Sequence, residues 1–338
     1  MLSLYIAWAI GTNDAANPTN IVVGSGVLTP KKALTIFTIF VFLGSIAQGW
    51  MVSKTFGGGI TKIESAADAL TATISTGIWI TLASLTGMPI STTHSAVGGV
   101  LGIGLYKVIK LKSIELINWG VLSKVVISWI TSPLSVLLLC FIFMRLFDAV
   151  IDRALKRGVN PKTLDSYIKS ALIASFAFSA YSFGANDVSN AVGVYSVFTS
   201  LSGVVTGFNM QVALTLSAIG ALGIALGGFT LGHRVINTIA YKITRLDVRN
   251  GLSAQLSNAL VVWLFTTLPT LIWGYGMPIS TTHAAVTAVL GVGLGRYGVK
   301  GVDWGVVSKI VFMWLITVPI TALISLILRW VIYTVLNM

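Results

Sequence analysis

The chain has 338 residues, 55% of them hydrophobic and only 9% charged, with a formal net charge of +12. A soluble domain carries about 25% charged residues, so the composition excludes one and predicts an all-α polytopic membrane protein. The positive charge does not indicate nucleic acid, because many Lys and Arg fall in breaks between apolar runs, where they orient membrane segments.

In chain order, the opening "MLSLYIAWAIGTND" lacks a basic start and a small-residue cleavage site, so its first ten residues read as a short membrane segment kept in the mature chain. "GTNDAANPTN" follows at Gly11–Asn20 and places Asp14 between apolar stretches, where a carboxylate is costly unless partnered. Asn13 and Asn17, at i and i+4, share a helix face, and Gly11 allows local unwinding that would free backbone carbonyls. An apolar run at Ala33–Val52 is long enough to cross a bilayer. The "GGG" at Gly57–Gly59 has no following "GKS" or "GKT" and is not a phosphate loop.

"GMPISTTHSAVGGVLGIGL" occupies Gly87–Leu105. Pro89 cannot continue a helix, Gly87 supplies a bend, and Ser91 can cap a new helix with Thr92 in its first turn. This predicts a hairpin: a half-helix to about Thr86, a break, and a second half-helix from Thr92 to about Leu105. The second arm would span only roughly 20 Å, which puts the break near mid-membrane. A further apolar run at Val125–Met144 leads into "DAVIDRALKRGVNPKTLDSY", where Arg145, Arg153, Lys156, Arg157, Lys162 and Lys169 cluster. That segment is expected in the cytoplasm.

Beyond it the first half repeats. "GANDVSNAVG" at Gly184–Gly193 matches Gly11–Asn20, with Asn186, Asp187 and Asn190 in the places of Asn13, Asp14 and Asn17. "GMPISTTHAAVTAVLGVGL" at Gly276–Leu294 matches Gly87–Leu105, and "DWGVVSKIVFMW" at Asp303–Trp314 matches "NWGVLSKVVISW" at Asn118–Trp129. Apolar runs at Ile168–Phe183, Val212–Leu231, Leu252–Trp273 and Val306–Leu328 complete the half. The chain therefore divides into an N-terminal membrane repeat (1–147), a basic cytoplasmic linker (148–167) and a C-terminal membrane repeat (168–338). Lys54 and Lys62 precede the first hydroxyl motif against Arg234, Lys242, Arg245 and Arg249 before the second; after it the bias flips, with Lys107, Lys110 and Lys112 against Arg296 and Lys300. Opposite bias at equivalent loops favours inverted repeats with broken helices and paired re-entrant hairpins.

The polar clusters suggest a chemistry. Ser91, Thr92, Thr93, Ser280, Thr281 and Thr282, with the unpaired N–H groups of two helix starts, can surround a small tetrahedral oxyanion without any Lys or Arg. Hydroxyl bonding between membrane helices is the structural alternative. Carboxylate, amide and carbonyl oxygens around Asp14 and Asp187 suit a hard cation such as Na⁺, or a proton on the Asp; helix capping is the alternative there. His94 and His283 recur beside the hydroxyls as supporting residues, and three His in all are too few for a zinc site. Lys124, Lys309, Trp119, Trp129, Trp304 and Trp314 suit snorkelling, interfacial anchoring or packing. Cys140 is the lone cysteine and forms no intrachain disulfide. No Ser-His-Asp spacing, HExxH or CxxC motif is present, which leaves a membrane hydrolase without a nucleophile–base pair, and paired hairpins with cation nests favour a carrier over an anion channel.

At "GTNDAANP", "GANDVSNA" and the paired "GMPISTTH", the chain resembles the inorganic phosphate transporter (PiT) family of sodium- or proton-coupled permeases, with the same motif order over nearly its whole length. The resemblance implies a multi-pass protein of the cell membrane, inverted repeats, a central phosphate site, a homodimer, no enzymatic activity and no cofactor beyond the coupling ions. It maps phosphate contact onto the hydroxyls at Ser91, Thr92, Ser280 and Thr281, and the cation and substrate region onto Asn13, Asp14, Asn186 and Asp187. Thr12 and Pro18 stand where the family usually has Ala. The expected activity is symport of inorganic phosphate driven by a sodium gradient; a proton-coupled phosphate or sulfate permease, sulfate permeases being relatives of similar fold, is the alternative.

Overall fold

A computed structural model describes residues 2–55, 59–201 and 210–336. Two of the three glycines at 57–59 lie outside the described residues. Among those described there is no strand. The first half runs α1 (Leu2–Asp14), α2 (Ala16–Gly24), α3 (Pro30–Gln48), α4 (Trp50–Lys54), α5 (Ala66–Thr86), α6 (Thr92–Leu111) and α7 (Trp119–Lys156). The second runs α8 (Pro161–Leu201), α9 (Met210–Thr230), α10 (Gly232–Lys242), α11 (Val248–Trp273), α12 (Thr281–Val292) and α13 (Trp304–Leu336). By length and composition α3, α5, α7, α9, α11 and α13 can each cross a membrane.

Side-chain caps fix where these helices begin. Thr29, Ser65, Asn118 and Asp247 each accept the backbone N–H three residues on, starting α3, α5, α7 and α11. The long helices α7 and α13 turn apolar faces outward, with Ile130, Leu134 and Leu138 on one and Leu315 and Leu323 on the other exposed as lipid-facing residues are.

Helices of one half pack against helices of the other in matching pairs. The helix α1 packs along α9 as its counterpart α8 packs along α3, and α6 lies on α13 as α12 lies on α7. Small residues permit the first of these approaches. A Cβ on Gly11 would stand 1.9 Å from the Ile224 carbonyl oxygen, and one on Gly227 2.0 Å from that of Trp8. Matching positions on the other pair behave alike: Gly184 against Val41 at 2.3 Å and Gly44 against Tyr181 at 1.9 Å.

That finding corrects the unwinding expected at Gly11 and Gly184. Both glycines remain helical, and α8 passes through its Asn-Asp motif without a break. The first copy breaks only at Ala15, between α1 and α2. Pro18 supplies the cause, since it has no N–H for the Asp14 carbonyl four residues back. One backbone carbonyl is thereby freed in the first half, by proline rather than glycine.

The hairpin breaks fall where the sequence placed them, but the arms differ in length from those expected. The first arm, α5, has 21 residues and is about 31 Å long, a full span rather than half of one. Its partner α6 continues past Leu105 to Leu111. Lys107, beyond the expected end of the arm, is accommodated in the helix because its Nζ lies 2.7 Å from Glu64 and 3.1 Å from Asp68. The second hairpin keeps a short second arm: α12 has 12 residues and gives way to a π-helical turn at Gly293–Tyr297.

Candidate functional site

The two hairpin tips share a serine cap but start their breaks differently, since α11 closes at Gly274 (φ 79°), two residues before Gly276. Gly87 closes α5 in the left-handed region (φ 71°), and Ser91 caps α6 by accepting the His94 N–H at 3.1 Å. Ser280 caps α12 through the His283 N–H at the same distance. The tip of the first hairpin is clamped by Asn13: its amide donates to Ser84 Oγ and the Met88 carbonyl, while its oxygen accepts the Ile90 N–H. Asn186 clamps the second through Thr266 Oγ1 at 2.7 Å and the Met277 carbonyl at 3.0 Å.

The two tips meet. Thr93 Oγ1 donates to the Ile279 carbonyl at 2.9 Å, and Thr282 Oγ1 donates to the Ile90 carbonyl at 2.8 Å. The amides cross between halves with the same reciprocity: Asn17 donates to Thr281 and Thr282, both at 3.1 Å, and Asn190 donates to Thr93 at 3.1 Å and Thr92 at 3.4 Å. Asp14 lies under both tips, taking the Thr92 hydroxyl at 2.5 Å and the Thr282 hydroxyl at 3.2 Å. Asp187 Oδ1 accepts from Asn190 at 3.0 Å. Every one of these Asp, Asn, Ser and Thr residues is buried.

Sequence-predicted residues are thus brought into one central cluster: Ser91, Thr92, Thr93, Ser280, Thr281, Thr282, Asp14, Asn17, Asp187 and Asn190, with Asn13 and Asn186 bracing the tips. Around it, buried side-chain oxygens have no hydrogen-bond partner: Asp187 Oδ2 and the amide oxygens of Asn17, Asn186 and Asn190. Orphaned acceptors at this density suit a bound cation, since an unpaired buried oxygen is costly. A separate cavity of about 680 Å³ opens at the far end of the first hairpin beside Lys62, Glu64, Lys107 and Trp119, remote from the central cluster.

His94 and His283 sit beyond the tips with ring centroids 4.6 Å apart. Each stacks on a tryptophan of a long helix, His94 on Trp129 at 3.7 Å and His283 on Trp314 at 3.8 Å. Their Nδ1 atoms donate to the backbone carbonyls of Trp314 (3.4 Å) and Trp129 (3.3 Å), as a carbonyl can only accept. The Trp129 carbonyl is free to accept because Pro133, four residues on, has no N–H. Trp129 and Trp314 are therefore packing residues, whereas Trp119 and Trp304 are exposed. No cluster of three His, Cys, Asp or Glu residues that could hold a metal occurs among the described residues.

Residues 10–325 match the family described as the phosphate transporter family. The chain belongs to that family. As a family member it is a multi-pass membrane transporter and not an enzyme. It is 33% identical to a protein of Pyrococcus abyssi (strain GE5 / Orsay) named "Putative phosphate permease", over 99% of this chain and 97% of that one. It is 27% identical to the chloroplastic inorganic phosphate transporter 2-1 of Arabidopsis thaliana, over the whole of this chain and 72% of that one. Among solved structures it is similar to one described as the sodium-dependent phosphate transporter, with a TM-score of 0.83, 30% identity and coverage of 99% of this chain and 98% of that one.

Sequence reasoning missed part of the polar interior of this transporter. Gln255 and Asn258 are buried on α11 with orphaned side-chain oxygens, and Ser253 and Asn20 add two more; Asn258 also donates to Ser179 Oγ at 3.2 Å. The signal was present as "SAQLSN" at the start of an apolar run. Attention to amides next to a carboxylate passed over Gln255 and Asn258, which have none beside them in the sequence.

Proposed function

We propose that this chain is a sodium-coupled symporter of inorganic phosphate. The observation that carries the reading is the reciprocal meeting of the two hairpin tips over Asp14. It brings hydroxyls and the first N–H groups of α6 and α12 to one buried point. A helix start leaves its first N–H groups without intrahelical partners and carries partial positive charge, so paired starts can replace an oxyanion's water shell. Phosphate is held by Ser91, Thr92, Thr93, Ser280, Thr281 and Thr282, and the cations by the Asn13-Asp14-Asn17 and Asn186-Asp187-Asn190 sets, with Asp14 and Asp187 also facing the anion.

Sodium is favoured over a proton by the orphaned oxygens themselves. The free acceptors of Asn17, Asn186 and Asn190 are amides, which can ligate a metal ion but do not take up a proton near neutral pH. The repeats are inverted in this reading: α1 with α2, then α3, then α7 make three crossings, the α5–α6 hairpin returns to the side it leaves, and an odd number turns α8 over relative to α1. The linker with its basic residues lies in the cytoplasm, and the protein works as a homodimer in the cell membrane.

Uptake of radiolabelled phosphate and sulfate into proteoliposomes, with Na⁺ and pH gradients imposed separately, tests the assignment. Phosphate uptake driven by Na⁺ alone is expected, and Asp14→Asn and Asp187→Asn should each abolish it. Uptake driven by the pH gradient alone, or a preference for sulfate, would replace the reading with the proton-coupled or sulfate alternative.

A further inference from the structure

We propose that the Asp14 carboxylate is an internal competitor of the transported anion: it holds threonine protons that the anion needs, and a cation drawn to Asp14 releases them. The inference rests on the symporter reading above and adds to it an order of binding, cation before anion, with its cause.

The argument is one of donor arithmetic. A hydroxyl has a single proton to give. Thr92 gives its proton to Asp14 Oδ2 at 2.5 Å, and Thr282 divides its own between Asp14 Oδ1 at 3.2 Å and the Ile90 carbonyl at 2.8 Å. The other side of these oxygens is already occupied, because Asn190 donates into Thr92 and Asn17 into Thr282. Thr92 cannot serve an oxyanion at the tips while it serves Asp14, and the share of the Thr282 proton that Asp14 takes from the Ile90 carbonyl is withheld in the same way.

Charge adds to the competition. Asp14 is wholly buried, and so are the threonines that reach it. An oxyanion at the same tips would stand beside an ionised carboxylate in a low-dielectric interior, where like charges repel strongly. A cation at Asp14 removes both obstacles: it takes over the carboxylate lone pairs and cancels the charge. Asp187 meets Asn190 on Oδ1 and the Thr281 hydroxyl of the second tip, with no partner on Oδ2, and reaches no residue of the first tip by these bonds, so the bridging of both hairpins by one carboxylate belongs to Asp14.

The test is equilibrium binding of radiolabelled inorganic phosphate to the purified full chain in lipid nanodiscs, with Na⁺ replaced by choline at constant ionic strength. In the unaltered protein, Na⁺ should tighten phosphate binding by about tenfold or more, the size of one charge-assisted hydrogen bond. In Asp14→Ala, binding in choline should exceed that of the unaltered protein in choline by about tenfold, and its remaining response to Na⁺ should be smaller, carried by the Asp187 set alone. Asp14→Asn, which keeps the shape of the side chain, should show the same change at smaller size and carries the test if the alanine variant does not fold. Asp187→Asn, which leaves both threonine bonds of Asp14 in place, should show a clearly smaller gain in choline than Asp14→Asn. Asp14 variants that stay monodisperse and melt cooperatively, yet bind phosphate no better than the unaltered protein in choline, would overturn the competitor role while leaving the symporter reading intact. Absence of phosphate binding by the unaltered protein at any Na⁺ concentration would remove the symporter reading itself.

Discussion

Thr93 and Thr282 carry the two hydroxyl bonds that cross between the hairpins, and their partners are backbone carbonyls of the facing tip. The two positions are equivalent by repeat but not by load, since Thr282 also reaches Asp14 and Thr93 does not. Thr93→Val keeps the volume of the side chain and removes the proton, leaving the buried Ile279 carbonyl without this partner. A loss of about 1–3 kcal/mol is expected, read as a lower melting temperature in detergent, with Thr93→Ser restoring most of it. A melting temperature unchanged in Thr93→Val would mean that the tips are not held together by this bond. The histidines show how one residue's chemistry depends on another's: the Trp129 carbonyl is open to His283 because of Pro133, which takes a donor out of α7.

At the scale of elements, the helix contacts that carry the central motifs are set by space. Alanine at Gly11 would put its Cβ 1.9 Å from a backbone carbonyl of α9, and at Gly184 2.3 Å from one of α3. A backbone cannot yield as a side chain can, so Gly11→Ala and Gly184→Ala should force the helices apart and sharply reduce the yield of monodisperse protein on size-exclusion chromatography. Gly120→Ala in α7, whose nearest neighbour would be a side-chain oxygen at 3.4 Å, should be tolerated; equal losses at all three positions would refute the spacing argument. These glycines show where the sequence was legible and where it was not. The Gly-Pro breaks, the serine caps and the duplicated order could be read because each depends on residues close in the chain. The part played by Gly11 could not, because its reason is Ile224, more than two hundred positions away. Local chemistry made the glycine look like a hinge, and tertiary contact makes it a place for another helix. The length of α6 was misread for the same reason, since the partners that let Lys107 remain in a helix lie on another segment. The hydroxyl-rich tips and both aspartates were found from the chain alone, while Gln255 and Asn258 became visible only as buried oxygens without partners.

Across the whole molecule, the two hairpins are tied at their open ends by ion clusters in which the first arm and the long helix exchange charge while the second arm stays basic. In the first, Asp68 at the start of α5 pairs with Lys107 on α6 at 3.1 Å and with Arg329 on α13 at 2.8 Å. In the second, the acid is on the long helix: Asp148 of α7 pairs with Arg249 at the start of α11 at 2.7 Å and with Arg296 beyond α12 at 2.5 Å. Each cluster fastens a hairpin to the long helix of the opposite half, but their settings differ. The Asp68 side chain is 1% exposed and that of Arg329 9%, whereas Asp148 and Arg249 are 26% and 35% exposed. Removing one member of a buried pair leaves an uncompensated charge and costs about 3–5 kcal/mol; water and salt screen a half-exposed pair, which is worth about 1 kcal/mol or less. Arg329→Met should therefore lower the melting temperature far more than Arg249→Met. Adding Asp68→Asn to Arg329→Met should recover part of the loss, by withdrawing a buried carboxylate then left with Lys107 alone. Raising the salt concentration should weaken the unaltered Asp148 cluster and leave the Asp68 cluster nearly unchanged. Equal effects of the two arginine variants, or no recovery in the double variant, would show that the difference in burial does not govern how firmly each hairpin is held.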